Sequence, residues 1–361
     1  MKDYKRLGDY IREVNLRNRE LKVRKPMGIN IDKHFMPSVA NIIGTDLSAY
    51  KLVCKTQFAC NLMHVGRDEK IPMAMWNDAN PIIVSPAYFV FEITKTEDLL
   101  PEYLMMWFRR TEFDRNAWFY TDADVRGGMN KDALLDMRLP IPTLTRQREI
   151  VSEYETLTRR IRLNEQMIAK LEETAQALYR KMFVDGLDKE NLPEGWRMGR
   201  LGEVATFKYG KLAEKHEQSK EFPCPVFSGY AVTGYTNEYT LEEPTIVIIA
   251  RGDAGTGRIC MSPPKCFLSN LAIAIEMKDK TMREYLYYHL LDSETMSLRS
   301  GSAQAQITIN NLEPFEVITP AKDICKDFSI KIKTIYSNIY LKQQENEKLT
   351  ELRSLLLAKM G

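Results

Sequence analysis

The segment Gly252-Asp253-Ala254-Gly255-Thr256-Gly257 follows an apolar run, Thr245-Ile246-Val247-Ile248-Ile249-Ala250, and invites comparison with a phosphate-binding loop. Such a loop needs Lys and then Ser or Thr directly after its last glycine, the Lys for the β- and γ-phosphates and the hydroxyl for Mg²⁺. Arg258 and Ile259 stand there instead, so the run reads as a tight, backbone-exposed turn. Metal chemistry is no better supported. The six cysteines, at 54, 60, 224, 260, 266 and 325, form no Cys-x-x-Cys pair, and the four histidines complete no zinc spacing. They read as free or buried thiols of a reducing compartment. No Gly-x-Ser-x-Gly elbow presents a serine nucleophile, and no Asn-Pro-Pro-Tyr or Asp-Pro-Pro-Tyr run marks an amino-methyltransferase. Carboxylates such as Glu165, Glu172, Glu345 and Glu351 lie on helical stretches and read as solvated faces.

The remaining chemistry is cationic and amide-bearing. His64, Arg67 and Lys70 share one loop, and Arg126 precedes Gly127-Gly128 in another. Later come Lys208, Lys211 and Lys215, an aromatic stretch from Tyr230 to Tyr239, and Arg251 and Arg258. Gln304 and Gln306 stand in a loop just before Thr308. Arg and Lys suit phosphate oxygens and guanine edges, and a Gln amide suits the paired donor and acceptor of adenine. Tyr230, Arg251, Arg258, Gln304, Gln306 and Thr308, with the basic residues before them, are therefore candidate DNA-contacting groups. The formal net charge of +2 does not itself advertise a polyanion partner, so any such surface is local.

The elements that carry these groups are written twice. Pro142 closes a short apolar stretch and opens a long helical segment; Pro320 does the same 178 positions later. That offset pairs Ile150 with Phe328, Leu157 with Ile335, Leu171 with Leu349, Leu178 with Leu356 and Met182 with Met360. Upstream, Glu102-Tyr103-Leu104 matches Glu284-Tyr285-Leu286, and Arg6-Leu7-Gly8-Asp9 matches Arg200-Leu201-Gly202-Glu203. Each copy is a mixed domain followed by a helix. Strand-like runs at 51–54, 58–62, 81–84 and 88–93, with a helix at 101–119, build the first domain. Runs at 245–250 and 271–275, with a helix from about Met282, build the second.

In the first long helix, Ile150, Tyr154, Leu157, Ile161, Asn164, Ile168, Leu171, Ala175, Leu178 and Met182 follow one another at alternating steps of four and three. A heptad so sustained packs against another helix, and Asn164 on the seam favours one register. In the second, Ile335, Ile339, Leu349 and Leu356 occupy the seam, while Lys342, Asn346 and Arg353 interrupt it and the apolar stripe drifts toward Leu341, Leu352 and Leu355. That widened face is expected to meet a second partner. Helices of this kind span roughly 60 Å at 1.5 Å per residue, enough to separate DNA half-sites about one helical turn, or roughly 34 Å, apart.

The expected fold is α+β: two mixed α/β domains separated by two long helices packed as an antiparallel coiled coil. The domains fall at 1–142 and 186–321, the helices at 143–185 and 322–361. The chain of 361 residues suits two or three domains, and no apolar run is long enough to span a membrane. With no signal-peptide pattern after Met1-Lys2-Asp3, a cytoplasmic protein is expected.

This organisation resembles the specificity subunit of type I restriction-modification systems. The local wording agrees at Pro37-Ser38-Val39-Ala40-Asn41, Gly44-Thr45-Asp46-Leu47 and Asn61-Leu62-Met63-His64-Val65-Gly66-Arg67. It agrees again at Leu192-Pro193-Glu194-Gly195-Trp196 with Leu201-Gly202-Glu203-Val204, and at Gly234-Tyr235-Thr236-Asn237-Glu238-Tyr239. The chain departs from the pattern in having no Pro-Glu-Gly-Trp lead-in before Leu7-Gly8. The resemblance implies a non-catalytic subunit of a DNA methyltransferase or restriction endonuclease complex. It implies double-stranded DNA as ligand, each domain reading half of a split target. Modification subunits would dock on the helices and supply S-adenosylmethionine, and a restriction subunit would supply ATP and Mg²⁺; no cofactor is expected on this chain. Two other readings stay open on the residues alone: a coiled-coil assembly protein without DNA readout, and a nucleotide- or S-adenosylmethionine-dependent enzyme.

Overall fold

The computed structural model describes residues 4–39, 44–63, 65–121, 127–214, 219, 221–252, 255–300 and 305–360. The chain divides into two compact units, Met1–Asn164 with Gln343–Gly361, and Glu165–Lys342. Each unit therefore holds a stretch of both long helices.

In the first unit the strands are β1 (Tyr4–Arg6), β2 (Ile11–Glu13), β3 (Met27–Ile29), β4 (Phe35–Pro37), β5 (Lys51–Val53) and β6 (Phe58–Cys60). A short α1 (Val65–Asp68) precedes β7 (Met73–Met75), β8 (Ile82–Val84) and β9 (Phe89–Ile93). Then come α2 (Pro101–Phe108), α3 (Thr111–Phe119), α4 (Lys131–Asp136), β10 (Arg138–Pro140) and the long α5 (Leu144–Phe183). The central sheet runs β2-β9-β6-β7, all neighbours antiparallel. Its inward rings Phe58 and Phe91 stack at 5.0 Å and meet Phe108 edge-on, a geometry that suits the ring quadrupoles. The runs at 81–84 and 88–93 do not pair with each other. β8 pairs with β5 and β9 with β6, so the chain crosses between sheets there.

The helix expected over 101–119 is broken. Arg110 has extended dihedrals (φ −74°, ψ 141°) as the residue before α3. The break lets Phe113 fold back on Trp107 and Phe108, at 4.9 and 5.0 Å, so burial of three rings outweighs helical continuity.

The second unit opens with β11 (Arg197–Arg200), α6 (Leu201–Val204) and β12 (Ala205–Tyr209), followed by β13 (Cys224–Phe227), β14 (Val232–Thr236) and β15 (Ile246–Ile249). β16 (Ile259–Met261), β17 (Phe267–Leu268), β18 (Ala272–Met277), α7 (Arg283–Leu291), α8 (Ile309–Leu312), β19 (Glu316–Thr319) and α9 (Lys322–Ala358) complete it. A four-stranded sheet, β12-β18-β15-β16, carries the core, and β14-β13-β17 forms a smaller one.

The duplication holds at the level of single bonds. β1 pairs antiparallel with β10, and β11 with β19. The Tyr103 hydroxyl donates to the Pro140 carbonyl at 3.1 Å, and the Tyr285 hydroxyl donates to that of Ile318 at 2.7 Å. Pro140 and Ile318 are themselves one repeat apart, so each copy ties its first large helix to the strand that launches the long one. Buried hydroxyls require such partners, which explains why tyrosine and not phenylalanine stands there.

The two long helices are antiparallel within each unit. In the first, Ile150 and Tyr154 share a core with Met360, while Arg160 bonds Glu345 at 2.7 Å. Asn164 Nδ2 donates to Asn346 Oδ1 at 2.9 Å, and Asn346 Nδ2 donates to the Ile161 carbonyl at 3.4 Å. A buried amide pair that matches only itself disfavours slipped registers. In the second, Ala175, Tyr179 and Phe183 pack with Phe328 and Ile332. Ile150, Ile161, Asn164 and Ile339 are buried; Leu157, Ile168, Leu171, Leu178, Ile335, Leu349 and Leu356 are half-buried. Leu341, Leu352 and Leu355, by contrast, are 63%, 52% and 51% exposed, so the widened stripe lies off the packing face.

Candidate nucleic-acid interface

In the second unit the turn after β13 is built around Ser228, whose hydroxyl oxygen accepts from the amides of Tyr230 and Ala231 at 3.4 Å. Gly229 has φ +91°, and a Cβ there would stand 2.7 Å from Ile249, so only glycine fits. The turn delivers Tyr230, 43% exposed, onto the loop after β15. A Cβ on Gly255 would sit 2.4 Å from the Tyr230 ring. That is the use of this glycine: it lets an aromatic ring lie on bare backbone.

In the same loop the described backbone amides after Thr256 are committed inward. The Gly257 amide donates to the Ile249 carbonyl at 2.8 Å and the Arg258 amide to that of Gly255 at 2.9 Å. The buried Thr256 hydroxyl donates to the Gly252 carbonyl at 2.8 Å, and Arg299 Nε donates to the Thr256 carbonyl at 2.8 Å. Amides already bonded inward cannot also ring an anion. What the loop presents outward is Arg251 and Arg258, both exposed. The Arg251 amide bonds the Leu271 carbonyl, and the Lys211 amide bonds that of Leu268, so both cations flank the segment 268–271. Arg251, Arg258 and Lys211 thus lie at one end of the β12-β18-β15-β16 sheet, with Tyr230 against the loop that carries the first two.

The other candidates have different environments. Lys208 is paired with Glu276 at 2.8 Å, which lowers its value to an external phosphate. The Thr308 hydroxyl donates to Asn311 Oδ1 at 2.6 Å in the capping box of α8, a structural duty. Gln306 exchanges backbone bonds with Ser300 and has an exposed side chain. His64, Arg126, Lys215 and Gln304 lie outside the described residues, as does the side chain of Arg67, whose backbone belongs to α1.

In the first unit Lys70 is exposed and lines a cleft of about 810 Å³ together with Arg109, Arg115 and Arg353. Sequence reading missed these arginines because they come from different segments of the fold and share no local pattern. The cleft wall contains a buried ion pair, Lys33 Nζ to Asp114 Oδ1 at 2.6 Å, with the Ile71 amide donating to the same oxygen at 3.2 Å. Burial pushes the Lys33 ammonium down and the Asp114 carboxyl up, each opposed by the other's charge. Burial, with Arg109 nearby, holds His34 below its ordinary value.

Burial pushes the thiols of Cys260 and Cys325 up to about 12 and raises that of Cys60 as well. Thiols held in that state are poor nucleophiles. Among the described residues no group of three or more His, Cys, Asp and Glu side chains is arranged to hold a metal, and no helix is long and apolar enough to cross a membrane.

Comparison with known proteins bears on the arrangement. The family model for the Type I restriction modification DNA specificity domain matches residues 193–351. The putative type I restriction enzyme MjaX specificity subunit of Methanocaldococcus jannaschii is 21% identical, over 88% of this chain and 80% of its own. The type I restriction enzyme HindI specificity subunit of Haemophilus influenzae is 22% identical, over 79% of this chain and 81% of its own. The crystal structure of the type I restriction-modification S subunit from M. genitalium superposes with a TM-score of 0.62 at 15% identity, over 99% of this chain and 95% of that one. A chain from a structure of type I R-M complex assembly and conformational transition gives 0.50 at 18% identity, over 99% and 97%. With two copies of one mixed domain, each followed by a long helix, and a matching DNA specificity domain in the second, this chain is similar along most of its length to the specificity subunits of type I restriction-modification systems and shares their fold.

Proposed function

We propose that the chain recognises DNA sequence for a type I restriction-modification complex, each globular domain reading one half of a bipartite target. The observation that carries this reading is the bond-level duplication joined to the specificity-domain match at 193–351. The sheet end that carries Tyr230, Arg251, Arg258 and Lys211 supports it chemically, since an aromatic face and three unburied cations suit bases and phosphates. The long helices act as the spacer between the half-sites and as the docking surface for modification subunits. The chain itself performs no bond-breaking step. S-adenosylmethionine is bound by the modification subunits, and ATP and Mg²⁺ by a restriction subunit.

The test is modular exchange. Residues 1–142 are replaced by those of another specificity subunit, and methylated adenines are mapped in cells that also carry the modification subunits. One half of the methylated motif should change while the other stays. A change in both halves, or in neither, overturns the reading.

A further inference from the structure

The first unit contains a cavity whose counterpart in the second unit is filled. It has a volume of about 390 Å³ and lies between α2 and α5, over Met75, Met105 and Met106. Glu102, Val151 and Thr158 also line it. In the repeat these residues correspond to a closed contact. Glu102 and Val151 match Glu284 and Ser329, which are hydrogen-bonded at 3.0 Å in a buried position. Met106 and Thr158 match Tyr288 and Tyr336, whose hydroxyls lie 3.0 Å apart. The second unit thus covers this place with the Tyr336 phenol from its own long helix, a side chain that keeps 36% of its surface exposed. The first unit has the smaller Thr158 there and leaves the space open.

The duplicated contact specifies what would fit. A phenol suits the space that Thr158 leaves where Tyr336 stands in the other copy: the Glu102 carboxylate can accept its hydrogen bond, and the Thr158 hydroxyl, which donates to the Tyr154 carbonyl at 2.9 Å, can also accept. Three thioethers at the base suit an aromatic face. The rim adds charge: Arg109, Arg159 and Arg162 line it, and none forms an ion pair among the described residues. Against them stand two carboxylates, Glu102 and Glu155. The excess is positive, so the segment that carries the aromatic residue should be acidic.

We infer that this cavity is a docking socket for a tyrosine within an acidic segment of a protein partner, here the modification subunit. The inference rests on the reading of the chain as a specificity subunit, and it makes the two copies unequal: one takes its tyrosine in cis, the other in trans.

The test uses the full chain. p-Cresol, the tyrosine side chain alone, should shift the methyl resonances of Met75, Met105 and Met106 saturably in methionine-labelled protein. Thr158→Tyr, which supplies the missing phenol in cis, should abolish those shifts and weaken binding of purified modification subunit tenfold or more. Thr158→Ser, which leaves the socket open, should bind as the wild type does. A folded Thr158→Tyr chain that binds the subunit within twofold of wild type overturns the inference, as does absence of any p-cresol response. Should Thr158→Tyr fail to fold, the exposed double change Arg159→Glu with Arg162→Glu decides the matter, and unchanged affinity there sinks it. A p-cresol response lost in Thr158→Tyr without a change in subunit affinity makes the cavity a small-aromatic site and refutes the partner. Capture of no modification subunit by the wild type overturns the specificity-subunit reading itself, and the partner with it, even where p-cresol binds.

Discussion

Gln147 and Cys325 occupy the same position of the repeat, and both are fully buried. The chain has solved one junction in two ways. Gln147 Oε1 accepts from the Leu100 amide at 2.9 Å, and its Nε2 donates to the carbonyls of Asp98 and Pro142 at 2.6 and 2.8 Å. One side chain thereby ties the start of α2 to the start of α5. Cys325 offers no comparable network and sits in an apolar core with Phe328, Tyr179 and Phe183. The aromatic clusters divide in the same way. In the first unit the stacked rings lie within the domain, on β6, β9, α2 and α3. In the second they lie where the long helices meet the domain, with Phe183 and Phe328 at 5.1 Å. A fold can therefore be conserved through a duplication while the interactions that hold its junctions change from directional to packed.

The largest effect expected from that difference concerns the first unit alone. Asp114→Ala leaves the Lys33 ammonium buried without its counter-ion, and breaking a buried pair in this way costs about 3–5 kcal/mol. Amide exchange should accelerate across β6, β7 and α3 and remain unchanged across β15 and β18. Equal loss of protection in both sheets would show that the units are not separately cooperative. Next in size is the junction itself. Gln147→Leu strands one amide and two carbonyls and should destabilise the first unit by about 2–3 kcal/mol. Cys325→Ala only trims packing and should destabilise the second by about 1–2 kcal/mol. Thermal unfolding of both variants checks the order, and a larger loss for Cys325→Ala would break the contrast of directional with packed junctions.

These differences also mark how far the sequence could be read. The repeat, the heptad of α5 and the prolines that launch both long helices were legible because period and offset are properties of the chain. The break at Arg109-Arg110 was not, because it depends on Phe113 reaching rings that only the fold brings near. The missing Lys and Ser or Thr after the glycine run that follows β15 could be read from sequence, but that its glycine serves to seat Tyr230 required the turn at Gly229. The cleft arginines Arg109, Arg115 and Arg353 were missed for the same reason as the Lys33–Asp114 pair: their members are far apart in sequence. Candidate residues fared according to neighbours invisible in sequence, Lys208 on β12 being paired with Glu276 and Thr308 turned to capping.

The smallest expected effect probes the comparison through pH. Asp279 stands just before α7 and receives hydrogen bonds from Lys322 on α9, at 2.9 Å, and from the Thr281 hydroxyl and amide at 2.7 and 3.1 Å. These donors, Lys322 first, hold its carboxyl down at about 2, below the ordinary 3.8. A carboxyl depressed on folding stabilises the native state above its unfolded pKa, and that contribution disappears as pH falls through the folded value. The matching residue of the first unit, Glu97, makes no ion pair among the described residues. Asp279→Asn should therefore lower the melting temperature of the second unit by a degree or two, on the order of a surface ion pair, at pH 7. The gap between variant and wild type should close between about pH 4 and pH 2, and salt should narrow it by screening Lys322, which is largely exposed. Glu97→Gln removes no such tie. A gap that persists at pH 2 would mean that Asp279 acts through its turn geometry and not through its charge, and the link between α7 and α9 in the second unit would then be as uncharged as the packing around Cys325.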